Sequence, residues 1–410
     1  MVASGSIDQI RAPLFFRTEA IVSDIRYLQR LGCLEPFKLY TFCQVQAFRT
    51  PPFEKQHVTI VVSWYVRPLA FFLLSVSAFA APCATATTEC TEWLTFGAGP
   101  SRSLVYRTYP LDGRNEKITR AFILIHGAGR DAHNYFRTAV AAAFLGGALE
   151  DTIVISPRFA SSDGRTCSDK LEKDEVSWRC TGNSWRSGAA AASDERLTSF
   201  DFTDGILSKL GRKSAFPNLK AIVISGHSAG GQYVSRYQLS NQVHDKIGIP
   251  ITYVVSNPSS YAYLDSDRPG SGAYASTAAA PGYYATGSIG FRPFPDGRNC
   301  TTFDQWPYGL QNRAGYSATL SDDQIKKQLA ARPAIYLMGE LDILPLGGFD
   351  SSCPAMAQGP TRLARGQAYA KYVNEKFGAR HSVTMVPLCG HNARCIFTAE
   401  VALPIIFPKH

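Results

Sequence analysis

A serine in a glycine-rich turn is the clearest sign of chemistry in this sequence. Gly226-His227-Ser228-Ala229-Gly230 has the form G-x-S-x-G, directly after an apolar run and directly before a helical pattern. Small residues at both ends of such a motif allow a sharp strand-to-helix turn that exposes the serine hydroxyl. A hydroxyl in that position becomes a nucleophile when a base accepts its proton, and the base needs an orienting carboxylate. The motif therefore predicts nucleophilic catalysis at Ser228.

The motif and its strand–helix context resemble the nucleophile turn of the α/β-hydrolase family, and the resemblance covers roughly residues 100–405. In that family the acid and then the histidine follow the serine along the chain. The resemblance implies that Asp342, in a Gly-x-x-Asp pattern after a strand, is the acid. Glu340 and Asp350 stay open as alternatives, because loop geometry cannot be read from sequence. His391, in a Gly-His pair shortly after the last strand, is the implied general base.

The same resemblance implies a site for the oxyanion of an acyl-transfer intermediate. A His-Gly-Ala-Gly segment at residues 126–129 follows a further apolar strand, where the family holds its oxyanion loop. The implied hydrogen-bond donors are the backbone N–H groups of Ala128 and Ala229. Arg130 and Tyr135 further resemble an arrangement found in secreted esterases and polyester depolymerases.

The other histidines and the cysteines do not indicate a metal or cofactor site. His126 is expected to form structural hydrogen bonds, and His227 is expected to face away from the serine. The histidines are scattered and no Cys-x-x-Cys spacing occurs, so no metal site is predicted. No G-x-G-x-x-G fingerprint with an acidic ribose binder is present, so no cofactor is expected.

The elements that position these residues alternate between strands and helices. Strands are predicted over residues 103–109, 121–125, 152–155, 221–224, 251–255, 334–338 and 382–386, and helices near 133–146, 200–211, 229–242 and 362–377. Continuous apolar strands are typical of sheets covered on both faces. We therefore predict the α/β class, with one doubly wound, mostly parallel sheet and the α/β-hydrolase fold. A long aromatic-rich insertion over residues 256–330, poor in helical periodicity, follows the predicted strand at 251–255.

Composition excludes several other classes of protein. The 410 residues are 45% hydrophobic and 18% charged, which rules out a disordered chain and a coiled coil. The formal charge of +9 comes without a dense Lys/Arg cluster interleaved with aromatics, so nucleic acid is not an expected partner. No apolar run is long enough for a polytopic membrane protein.

An export signal is predicted well inside the chain. Residues 69–80 form an apolar segment that ends in Ala78-Phe79-Ala80 and follows the positive charge of Arg67, which is typical of a signal peptide. The segment is too short to span a bilayer, so no stable membrane anchor is expected. We therefore expect a secreted or periplasmic protein.

The position of this signal suggests where the mature protein starts. No methionine lies between the first residue and Met338, and Val66 is a possible alternative start. We expect a signal peptide over about residues 66–80 and interpret residues 1–65 as an over-extended gene model. The mature chain, residues 81–410, is expected to form a single α/β-hydrolase domain.

Cysteine usage agrees with export. Eight of the ten cysteines follow the predicted cleavage site, and an even number there is typical of a disulfide-bearing exported protein. Spacing alone does not fix the connectivity. Pairing near neighbours gives Cys83–Cys90, Cys167–Cys180, Cys300–Cys353 and Cys389–Cys395, the last of which would clamp the loop that carries His391.

These features predict a secreted serine hydrolase that cleaves carboxylic esters through an acyl-enzyme intermediate. Its substrate would be a small-molecule or polymeric ester. Two alternatives stay open: a serine peptidase of the same fold, and a catalytically silent hydrolase-fold protein that serves as a binding module.

Overall fold

A computed structural model of the chain describes residues 81–163, 167–181, 184–270, 274–277, 280–285 and 289–409. The predicted signal peptide and the residues before it lie outside the described residues. Within these ranges no helix combines the length and apolar character that crossing a membrane requires.

An eight-stranded sheet runs through the centre of the fold in the order β1-β2-β4-β3-β5-β6-β11-β12. The first three strands along this order pair antiparallel, and every later pair is parallel. The strands of this sheet are β1 Thr91–Thr95, β2 Arg102–Arg107, β3 Arg120–Ile125, β4 Thr152–Pro157, β5 Ala221–His227, β6 Ile251–Ser256, β11 Ala334–Gly339 and β12 Ser382–Val386.

Helices cover both faces of the sheet, which explains why its central strands are apolar along their whole length. They are α1 Ala132–Leu145, α2 Ser199–Leu210, α3 Ala229–Ser240, α4 Asp322–Ala331, α5 Cys353–Met356, α6 Arg362–Phe377, α7 Ala393–Thr398 and α8 Leu403–Ile406. In β3, Ile123 and Ile125 join the core that includes α2, α3 and α6, whereas Phe122 and Leu124 join the core beneath α1, α7 and α8. The predicted doubly wound, mostly parallel sheet is confirmed.

The insertion after β6 is more regular than the sequence pattern indicated. It contains two small antiparallel sheets, and it ends in helix α4, which packs against α3 and α6. The strands of the two small sheets are β7 Asp267–Pro269, β8 Tyr274–Thr277, β9 Ala280–Ala285 and β10 Phe291–Pro293. Helix α4 forms in this segment although its sequence is poor in helical periodicity. Only Ile325 and Leu329 of this helix are buried, so its apolar periodicity is weak. Its start is encoded by a capping box between Ser321 and Gln324.

The four disulfides that near-neighbour pairing predicted are present. They join Cys83 to Cys90, Cys167 to Cys180, Cys300 to Cys353 and Cys389 to Cys395. The Cys300–Cys353 bridge ties the insertion to α5, and the last bridge joins the segment after β12 to α7.

Candidate active site

Ser228 occupies a sharp turn between β5 and α3. Its backbone is in a strained left-handed region, at φ 59° and ψ −117°. Close backbone packing requires the flanking glycines: a Cβ on Gly226 would lie 2.3 Å from the carbonyl oxygen of Gly230, and one on Gly230 would lie 2.3 Å from that of Ile125. The motif thus places the serine at the carboxyl edge of the sheet, where open α/β sheets bind ligands.

His391 lies between Ser228 and Asp342 and contacts both. Its Nε2 is 2.9 Å from Ser228 Oγ, and its Nδ1 is 2.7 Å from Asp342 Oδ2. Asp342 is buried, with 2% of its surface exposed. A neutral imidazole in this position donates from Nδ1 to the carboxylate and offers Nε2 as the acceptor for the serine proton. The structure therefore brings together the three residues that the resemblance implied.

The two alternative acids lie elsewhere. Glu340 is exposed, and its carboxylate accepts a hydrogen bond from the backbone N–H of Leu388. Asp350 accepts a hydrogen bond of 2.7 Å from the Tyr308 hydroxyl. In this arrangement neither carboxylate orients His391.

Asn257 connects the loop of the acid to the loop of the histidine. It follows β6 in a left-handed conformation, with φ 45°. Its side chain accepts a hydrogen bond from the N–H of Gly339 at 3.0 Å and donates one to the carbonyl of Gly390 at 3.5 Å. Gly339 ends the strand before Asp342, and Gly390 precedes His391, so one amide fixes the spacing of both loops. Sequence reasoning missed Asn257, whose only signal was its position after an apolar strand.

A buried arginine stands behind Asp342 and was also missed. Arg362, at the start of α6, lies with Nη1 3.5 Å from Asp342 Oδ1. It also donates to Ser259 Oγ at 2.8 Å and to the carbonyl of Gly347 at 2.9 Å. Burial lowers the pKa of Arg362, and the carboxylate of Asp342 opposes that shift. The guanidinium thus compensates the buried negative charge of the acid.

His227, which was predicted to face away from the serine, packs its ring against the ring of His391. The ring centroids of His227 and His391 are 4.5 Å apart. The Tyr135 hydroxyl lies 3.2 Å from His227 Nδ1. Burial first, and then the neighbouring charges of His391 and Arg362, lower the pKa of His227 well below its usual value. His227 thus forms part of the wall around His391.

The two N–H groups implied for the oxyanion lie on segments that meet at Ser228. Ala229 is the first residue of α3, so its N–H is one of those that have no acceptor within the helix. Gly127, next to Ala128, packs against the serine: a Cβ on it would lie 3.7 Å from Ser228 Cβ. A turn closed by the hydrogen bond from Arg130 N to Gly127 O holds this loop.

His126 has the structural role that was predicted for it. It is completely buried, with Nδ1 2.8 Å from the carbonyl of Gly127 and Nε2 accepting from the N–H of Phe159 at 3.0 Å. Burial is the main cause that lowers the pKa of His126 to about 4. The neutral ring therefore ties the loop at residues 126–129 to the segment after β4. Arg130 anchors the same loop through an ion pair of 2.7 Å with Asp169.

Exposed leucines surround the acid and histidine loops. Leu341, Leu344 and Leu346 follow Glu340 on the loop of Asp342, and Leu388 precedes the disulfide that encloses His391. Leu388 is 80% exposed and Leu346 is 61% exposed. These four leucines form an exposed apolar rim on the loops that carry Asp342 and His391.

Two solved structures resemble the chain over most of its length, and they show the α/β-hydrolase fold that the sequence resemblance predicted. The first is poly(aspartic acid) hydrolase-1 from Sphingomonas sp. KT-1, with a TM-score of 0.53 and 20% identity over 77% of this chain and 97% of the other. The second is LpqC, a poly(3-hydroxybutyrate) depolymerase from Bordetella parapertussis, with a TM-score of 0.50 and 19% identity over 75% of this chain and 84% of the other. No protein-family model matches the sequence, and no curated protein does.

Proposed function

We propose that the protein is an exported serine esterase that hydrolyses carboxylic esters through an acyl-enzyme at Ser228. The observation that carries the proposal is the continuous chain of contacts from Asp342 through His391 to Ser228, at 2.7 Å and 2.9 Å. Nucleophile, base and orienting acid are thus within hydrogen-bond reach before any substrate binds.

The first half of the reaction forms the acyl-enzyme. Ser228 Oγ attacks the ester carbonyl carbon while its proton moves to His391 Nε2, and Asp342 stabilises the imidazolium that results. The N–H groups of Ala128 and Ala229 donate to the oxyanion of the tetrahedral intermediate. When the intermediate collapses, His391 gives the proton to the leaving alkoxide, which departs as an alcohol.

The second half of the reaction releases the acid. A water molecule takes the place of the alcohol, gives its proton to His391 Nε2 and attacks the acyl carbon. A second tetrahedral intermediate forms in the same oxyanion site. Its collapse returns the proton to Ser228 Oγ, so the enzyme is restored and a carboxylic acid leaves.

Two features support an ester as substrate and export as the setting. The apolar rim formed by Leu341, Leu344, Leu346 and Leu388 suits the hydrocarbon part of an organic ester. The four disulfides suit an oxidising compartment outside the cytoplasm.

A substrate panel tests the proposal. Wild type and Ser228→Ala are assayed on p-nitrophenyl esters of increasing acyl length, with casein as the peptidase control. We expect the wild type to hydrolyse esters but not casein and Ser228→Ala to lose ester hydrolysis. Cleavage of casein in place of the esters would favour the peptidase alternative, and no turnover of either would favour the silent binding module.

A further inference from the structure

A cavity of about 340 Å³, whose wall consists mainly of polar and charged residues, lies one helical turn beyond the serine. Its wall includes Gln232, whose backbone N–H donates to the carbonyl of Ser228 at 3.0 Å. Four residues of helix span about 6 Å, so the cavity is within reach of a substrate bound at the serine. Ser260 forms another part of the wall, and its neighbour Ser259 contacts Arg362 behind the catalytic acid.

Two arginines in this wall carry buried positive charge. Arg236, on α3, is 2% exposed, and Arg186 is half-buried on the short 3₁₀ helix Trp185–Ser187. Arg236 donates to the carbonyls of Pro307 and Arg186 and to Ser260 Oγ. Arg186 donates to Ser184 Oγ and to the side-chain oxygen of Gln232. All of these acceptors are neutral.

In the part of the chain that the structure describes, neither guanidinium has a carboxylate oxygen within 4.0 Å. Burial lowers the pKa of Arg236 to about 10, so the group still carries its charge at neutral pH. Buried cations are costly unless an anion compensates them. The carboxylate of Asp350 acts on both arginines from beyond 4.0 Å, so one negative charge faces two positive charges. The pair is therefore placed to receive a second negative group.

Asp350, the acidic residue in the wall, is engaged in other contacts. One carboxylate oxygen accepts from the Tyr308 hydroxyl at 2.7 Å, and the other accepts from Ser352 Oγ at 2.6 Å and from the Ser352 N–H at 3.0 Å. The wall therefore keeps a net positive charge.

We propose that this cavity binds a carboxylate carried by the ester substrate. The proposal rests on the proposed esterase function and names its substrate class: half-esters of dicarboxylic acids and the acid ends of oligoesters. The planar guanidinium of arginine pairs with a carboxylate through two parallel hydrogen bonds. The carboxylate would sit against Arg186 and Arg236 while the ester carbonyl lies at Ser228.

A matched pair of substrates isolates this interaction. Monomethyl adipate carries a free carboxylate, and dimethyl adipate differs only by the methyl group that neutralises it. The measured quantity is the ratio of kcat/KM for the anionic ester to kcat/KM for the neutral ester, in initial rates on a pH-stat. A general loss of activity cancels in this ratio.

The variant to compare is Arg186→Gln, because Arg186 is less enclosed than Arg236. We expect a wild-type ratio above one, and a fall of about 10–100-fold in Arg186→Gln, the usual worth of a hydrogen bond to a charged group. Arg186→Lys keeps the charge without the planar fork and should recover part of the loss. Arg179→Gln is the control, since it removes the same charge from an arginine that pairs with Glu195 outside the cavity.

The outcomes separate this inference from the esterase proposal. If the wild type hydrolyses dimethyl adipate, but Arg186→Gln and Arg179→Gln show the same ratio of the two kcat/KM values, the carboxylate site is overturned and the esterase function is not. A wild type that hydrolyses neither adipate ester nor any p-nitrophenyl ester would overturn the esterase function. Thermal unfolding shows whether each variant is folded. If Arg186→Gln does not fold, the kcat/KM ratio of Arg186→Lys is compared with that of the wild type instead.

Discussion

Arg362 and Asp342 form a buried ion pair directly behind the imidazole of His391. The two side chains are 0% and 2% exposed, and their closest atoms are 3.5 Å apart. The carboxylate uses its other oxygen for His391 Nδ1. The charge that orients the proposed general base is therefore held in the protein interior by a cation from the start of helix α6.

Replacing Arg362 tests this relationship. Arg362→Gln leaves the carboxylate of Asp342 buried and uncompensated, which should lower the free energy of unfolding by about 3–5 kcal/mol. Without the cation, the carboxylate loses the partner of its Oδ1, so Asp342 should orient His391 less well and kcat should fall. Urea unfolding and steady-state kinetics measure the two effects. An unchanged kcat in a folded variant would show that Arg362 serves packing alone.

Asp342→Asn should lower kcat by roughly 10⁴-fold, because the amide favours the wrong tautomer of His391. Glu340→Gln is the matched control, since it removes the exposed alternative carboxylate and keeps an oxygen that can accept from Leu388 N–H. Steady-state kinetics on one p-nitrophenyl ester compare the two variants. Near-normal turnover in Asp342→Asn, with collapse in Glu340→Gln or Asp350→Asn, would assign the acid to another residue.

The Cys389–Cys395 disulfide should matter more for activity than for stability. It closes a short loop, with a sequence separation of 6, around His391. Such a loop contributes about 2–3 kcal/mol in the loop-entropy model. Small displacements of a catalytic group can cost ~10²-fold in rate, so Cys389→Ser/Cys395→Ser should fold but lose most of its turnover.

The premise of that experiment is that Cys389 and Cys395 are disulfide-bonded, and peptide mapping of the native protein under non-reducing conditions tests it. The two cysteines should appear in one cross-linked peptide. Alkylation of either as a free thiol in active protein would remove the basis for the prediction.

His126 should make the protein less stable in acid. Its pKa is lowered from 6.5 to about 4 in the folded state, so the unfolded chain binds this proton more readily. Its contribution to stability is complete above pH 6.5 and is lost as the pH falls toward 4. Between pH 7.5 and pH 5 the wild type should lose about 2 kcal/mol more than His126→Gln does.

The comparison with the variant is necessary because other groups titrate in the same range. Burial raises the pKa of Asp204 to about 6, so Asp204 contributes stability below pH 3.8 that is lost as the pH rises to about 6. This contribution has the opposite sign to that of His126, and it is common to both proteins. Urea unfolding at several pH values measures the free energy of unfolding of the wild type and of His126→Gln. If this free energy changes with pH in parallel for the two proteins, the prediction is contradicted.

The sequence could predict the nucleophile turn because its determinants are local. Gly226, Ser228 and Gly230 lie within five residues, and strand and helix patterns flank them directly. The predicted sheet was likewise correct in its buried strands, whose residues pack on both faces. Strand β1 was missed, because most of its residues are only half-buried and its apolar run is short.

The residues that hold the site in place could not be predicted from sequence. Asn257 contacts Gly390 across a separation of 133 residues, and Arg362 reaches the loop of Asp342 from the first turn of α6. Arg186 and Arg236 likewise meet only when the segment after β4 packs on α3. Such contacts depend on the assembled fold and leave no pattern in any short stretch of the chain.

Identification of the residue modified by a fluorophosphonate probe tests the central claim most directly. Because the chain of contacts activates Ser228 Oγ, we expect a single covalent adduct per chain, located by peptide mass spectrometry on the peptide that contains Ser228. The adduct should be absent from Ser228→Ala and should form far more slowly in His391→Ala. An adduct on another residue, or equal labelling of the wild type and Ser228→Ala, would contradict the claim that Ser228 is the nucleophile.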